Sequence, residues 1–153
     1  MRIAAAIVLM LIVTAIVPHA AGDQGGACAL LAKDLLVAHS AVPKENHARM
    51  LKIPPEEEKI PSGGTMCSYG DVIFQLDPFA PGNFDKLFSQ WTAVPGVGDR
   101  AYFRDNRGMF AEIAAISGKR VITIQMDVPT GRTAASIQPN VVGLAKAIIG
   151  KLK

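Results

Sequence analysis

Three sets of residues have types and spacings that could do chemistry. The first lies in "AVPGVGDRAYF", residues 93–103, where Gly96-x-Gly98-x-x-Ala101 satisfies the G-x-G-x-x-[GA] spacing of a dinucleotide-binding loop. In such a loop the glycines let backbone approach a pyrophosphate, and the amides opening the next helix face its charge. The second set is His39, Glu45 and His47, imidazole and carboxylate groups of the kind that ligate metals. The third is the carboxylates Asp71, Asp99, Asp105, Glu112 and Asp127, with Ser62 and Ser117 as hydroxyls in glycine-bearing turns. Carboxyl groups brought together by a fold can share acid and base roles.

Each set meets a simpler explanation. A dinucleotide loop must follow a strand and open a helix. Here "NFDKLFSQW" before it reads as helix and "RAYFRDN" after it reads as strand, so the order is reversed. The acidic residue expected about 20 positions on, after a second parallel strand, is also missing. Pro95-Gly96 is therefore expected to be a tight turn, with Gly98 giving a sharp entry into a strand at 99–103. The two histidines are eight positions apart with Glu45 between them, fewer ligands than a metal site needs, and read as solvated loop residues. No G-x-S-x-G elbow is present. Glu112 reads as a mid-strand residue with Arg100 or Arg120 as its cross-strand ion partner. The sequence thus assigns no catalytic residue, no cofactor and no metal.

The cysteines say more. Met1-Arg2 gives a positive start, Ile3 to Val17 an apolar run, Pro18 a stop and "HAAGDQGG" a small-residue region. That order is a secretory signal, with cleavage expected near Ala20, Ala21 or Gly22. The run is short for a membrane-spanning helix, which needs about 20 residues. An exported chain with only Cys28 and Cys67 most simply joins them as a disulfide. Lipidation of Cys28 is the competing fate, and Gly25-Gly26-Ala27 lacks the Leu-like residue that a lipobox wants.

The elements that must position these residues follow from periodicity. "ACALLAKDLLVA", 27–38, places Cys28, Leu31, Ala32 and Leu35 on one helical face. "PKENHARMLKI" permits a short helix, and "PPEEEKIPSGG" reads as an exposed loop. "CSYGDVIFQL" alternates at Val72, Phe74 and Leu76 and reads as a strand. Phe84, Leu87, Phe88 and Trp91 form a helical stripe with Asn83 as N-cap. Strands at 99–103, 109–116 and 120–128 make an antiparallel meander, joined by "RDNRG" and "SGK" turns. Residues 141–152 form a last helix with Val141, Ala145, Ile148, Ile149 and Leu152 on its apolar face. The expectation is an α+β protein: a signal at 1–22 and one domain at 23–153, with an antiparallel sheet of about four or more strands and helices packed on one face.

The layout resembles small exported bacterial proteins of unknown function, including lipoprotein-like families with a V-x-G-[LV]-G-D-x-A-[YF] block. The matching residues are Cys28, Cys67, Ser68, Tyr69, Val94 to Asp99, Ala101 and Tyr102. The resemblance implies an envelope location and an antiparallel α+β domain, some members being similar to the PsbP-like fold. It carries over no catalytic residue.

The formal charge of +3 is too small and scattered for nucleic acid binding. The reading is an exported, secreted or periplasmic module without a catalytic centre, binding a partner protein or envelope ligand. The alternative is a hydrolase-like envelope enzyme whose site assembles only in three dimensions. Peripheral membrane contact through the C-terminal lysines would require Ile148, Ile149 and Leu152 to be exposed.

Overall fold

The computed structural model describes residues 25–78 and 81–153. The expected signal, its cleavage site and His19 lie outside the described residues. The elements are α1 (Ala27–Leu30), α2 (Lys33–His39), α3 (His47–Met50), β1 (Glu56–Lys59), β2 (Thr65–Tyr69), β3 (Val72–Asp77), α4 (Phe84–Leu87), β4 (Thr92–Ala93), β5 (Arg100–Asn106), β6 (Phe110–Ser117), β7 (Arg120–Asp127) and α5 (Ala134–Lys151). The seven strands form one antiparallel sheet in the order β1-β2-β3-β7-β6-β5-β4. This is the α+β class expected, with the β5-β6-β7 meander at its centre.

Strand alternation divides the sheet into two faces. Cys67, Val72, Phe74, Phe103, Ala111, Ile113, Ala115, Ile122, Ile124 and Met126 point to one face and are buried. α1, α2 and α5 pack there, α5 contributing Ile137, Val141, Leu144 and Ile148. The opposite face carries Ile73, Gln75, Tyr102, Arg104, Glu112, Thr123 and Gln125, and only the single turn of α4 sits against it. Phe84 anchors that turn over Ala114, Ile116 and Val121.

Several expected elements are redrawn by local chemistry. The 27–38 helix breaks at Leu31, whose ψ of 61° closes α1, and Ala32 caps α2 in extended backbone. "CSYGDVIFQL" is two strands, because Gly70-Asp71 makes a two-residue turn between Tyr69 and Val72. Gly70 takes φ +63° at the first turn position, the glycine requirement of a type II′ hairpin. "PEEEK" is not a loop: Glu56–Lys59 pairs with Thr65–Ser68 as an exposed edge strand. Its charges suit an edge that must not pair with another chain. The Phe84 stripe holds only one helical turn, and Asn83 makes no side-chain cap. α5 begins at Ala134, seven residues ahead of expectation, because Thr133 and Ser136 form a reciprocal capping box. Pro139 lies within the helix and hides this start from sequence periodicity.

Cys28 and Cys67 are joined, with Cα atoms 4.9 Å apart, tying α1 to β2. The sulfur that a lipid would occupy is therefore taken. Two contacts align the same junction: the Ala27 amide donates to Thr65 Oγ1 (2.8 Å) and the Cys28 amide to Glu57 Oε2 (2.7 Å). The edge strand thus supplies the carboxylate that satisfies an orphan amide of α1.

Candidate functional site

The glycine loop takes its shape from the sheet. Val94 N–H donates to Ala101 O, closing a hairpin between β4 and β5, and Gly96 and Gly98 have φ of +73° and +57°. Asp99 N–H then donates to Ile116 O, which brings Gly98 against β6. A Cβ on Gly98 would lie 2.1 Å from that carbonyl. The loop shares a cleft of about 300 Å³ with Lys146, Ile149, Gly150 and Lys153. These residues belong to the C-terminal end of α5, the negative pole of its dipole, so the helix polarity opposes a phosphate there. The loop is a turn into a strand, as expected.

The histidines are not solvated loop residues. His39 ends α2, and its ring covers Gly143 of α5 so closely that a Cβ there would meet Nδ1 at 2.6 Å. His47 is half-buried, and its Nε2 is 2.8 Å from the carbonyl of Val42. Among the described residues no three His, Cys, Asp or Glu side chains converge on a metal position. The expected Glu112 partner is also corrected. Arg104, directly opposite in the β5–β6 register, bonds Glu112 Oε2 through both Nε and Nη2 (2.6 Å each), and Asn106 bonds Oε1 (2.8 Å). Arg100 instead pairs with Asp85 of α4.

These pairs build a surface around α4. Phe84, Phe88, Trp91 and Tyr102 form an aromatic cluster, with ring centroids 4.7 to 6.4 Å apart. The Arg104 guanidinium lies 4.4 Å above the Trp91 ring while its other side holds Glu112. Tyr102 donates to Asp85 (2.9 Å), and that bond holds its phenol above the usual tyrosine range. Leu87 stands 58% exposed beside a cleft of about 340 Å³ lined by Gln75, Phe84, Phe88, Val121 and Thr123.

Arg104→Ala leaves Glu112 buried with Asn106 alone and is expected to cost about 2 kcal/mol. Arg100→Ala, which removes a half-exposed pair, should cost less than about 1 kcal/mol. Paired urea titrations check the ranking.

A second constellation was invisible in the spacing. Asp71 and Asp127 are neighbours, because Asp127 N–H donates to Asp71 O (2.9 Å) at the end of the β3–β7 ladder. Two clefts, about 280 and 360 Å³, meet at this pair. Burial raises both carboxyl pKa values above the ordinary range, and for Asp127 the charge of Asp71 adds to the effect. Asp99 and Asp105 do not join them. Their carboxylates accept turn amides from Gly118 and Gly108. Ser62 donates to Asp77. Ser40 donates to Asp71 Oδ2 (3.0 Å), while His47 spends its Nε2 on Val42, so no nucleophile–base pair forms here.

No protein-family model, curated protein or solved structure matches the chain.

Proposed function

We propose that the protein is an exported, disulfide-braced module that binds a partner protein with the sheet face around α4. One observation carries the reading. Three helices cover one face of the sheet, whereas the other presents Trp91, Tyr102, Arg100, Arg104 and exposed Leu87 around a cleft. Tryptophan, tyrosine and arginine are the side chains most often found at the energetic centres of protein interfaces. Export is supported by the charge–apolar–small-residue order of residues 1–22, by the disulfide, and by the resemblance to exported families. Among the described residues no helix is long and apolar enough to cross a membrane. Ile148 and Ile149 are buried and Leu152 is half-buried, so the apolar face of α5 is spent on the core.

Photo-crosslinking from single positions tests the reading. A probe at Leu87 or Thr123 should yield adducts with one defined protein of the exported fraction. The same probe at Gly150, on the opposite side, should not. Equal labelling from both faces overturns the proposal. The enzyme reading draws on Asp71 and Asp127, a perturbed carboxyl pair in a cleft. It predicts that Asp127→Asn abolishes a hydrolytic activity of the purified protein; the binding reading predicts unchanged partner capture by that variant.

A further inference from the structure

The segment 40–47 is held by side chains reaching in from four directions. Asn140 of α5 donates to Ser40 O (3.0 Å), and Arg132 donates to Ala41 O (3.3 Å). His47 holds Val42 O. From the β2–β3 turn, Asp71 Oδ2 accepts from Ser40 Oγ, which itself accepts from Val42 N–H (3.0 Å). Asp71 is the unusual member. It is only 7% exposed, and its Oδ1 is buried with no hydrogen-bond partner. A carboxylate in that position leaves a charged oxygen desolvated and unpaired, the costliest arrangement for a polar atom. Its charged and titratable neighbours are Asp127 at the end of β7, His47 of α3, Arg132 before α5, and Glu56 and Tyr69 across the adjoining cleft. Asp127 opposes ionisation. His47, when charged, favours it.

We propose that Asp71 is a proton-operated latch: protonated, it keeps the 40–47 segment closed over the two clefts, and ionised, it releases the segment to water. The sign follows from linkage. Burial raises the closed-state value of Asp71 above the ordinary 3.8 that the open segment would restore. Closure therefore binds a proton and is complete at acid pH. It weakens as pH rises from the open-state value through the raised closed-state one, by up to about tenfold in the opening constant per pH unit.

Hydrogen exchange of the Val42 and Ser40 amides reads this directly, after correction for the intrinsic chemical rate. Between about pH 4 and pH 7, where a carboxyl leaves its ordinary range, the corrected opening constant should rise about tenfold or more. Amides of β6 should not respond. Asp71→Asn, which keeps an acceptor for Ser40 without the charge, should give a flat profile. Should Asp71→Asn fail to fold, Asp127→Asn serves, its side chain being exposed. By removing the like charge it should shrink the response and end it at lower pH. A wild-type profile that is flat overturns the latch. So does a response unchanged in Asp71→Asn or Asp127→Asn, or one lost in His47→Gln alone, which would assign it to the imidazole.

Discussion

Replacing Cys28 and Cys67 together by serine is expected to lower the unfolding free energy by about 4 kcal/mol, the chain-entropy value for a loop of this length. The bridge spans 39 positions and joins elements that share few other bonds. α1 is a single helical turn, too short to persist alone. Cys67 is wholly buried beneath it on β2, so the two thiols would also lose a packed, water-free junction. The melting temperature should fall by roughly 14 °C, given the entropy of unfolding of a domain this size. The loss should concentrate at the β1–β2 edge. The Thr65 and Glu57 acceptors are positioned for α1 only while the bridge holds Ala27 and Cys28 in place. Thermal melts of the double-serine variant, beside native protein with and without reductant, measure it.

Gly98→Ala is expected to cost about 3 kcal/mol, from two causes that act together. Its φ of +57° is a region that alanine enters only with strain, and its new Cβ would sit 2.1 Å from Ile116 O. That carbonyl accepts the Asp99 amide and lies on a central strand, so it cannot retreat. Gly96→Ala is the matched comparison. Its φ of +73° is similar, but its nearest neighbour is the Lys146 ammonium at 3.9 Å. It should cost about 1 kcal/mol from backbone strain alone. A phosphate-cradling loop would predict something else: both variants would bind a dinucleotide less well with little change in stability. Chemical unfolding of the two variants, side by side, separates these accounts.

The glycine loop shows what spacing can and cannot carry. Its role was legible because helix and strand order is a local property: "NFDKLFSQW" and "RAYFRDN" argued against a cofactor before any coordinates. The meander was legible for the same reason, each strand being close in sequence to its partner and separated by turn formers. The Gly70-Asp71 turn was equally local, yet the alternation of Val72, Phe74 and Leu76 ran on from Cys67 and masked it. Glu56–Lys59 carries almost no strand signal. Four charged, exposed side chains become a strand because β2 offers them a partner. Asp71 and Asp127 lay beyond reach. They are 56 positions apart and meet only because β3, the third strand, pairs with β7 rather than with the next strand in sequence. The surface around α4 was half legible. The Phe84, Phe88 and Trp91 stripe was plain, but the Arg104–Glu112 register that sets an arginine on Trp91 depends on the exact length of a hairpin.

Export with a closed disulfide is the premise on which the binding face, the braced edge and the single domain all rest. Intact-mass analysis of the protein recovered from outside the cytoplasm tests it in one measurement. The account predicts a chain that begins just after Ala20, Ala21 or Gly22 and is lighter by two hydrogens than its reduced form. A chain that retains Met1, or one that starts at Cys28 with a lipid mass attached, contradicts it.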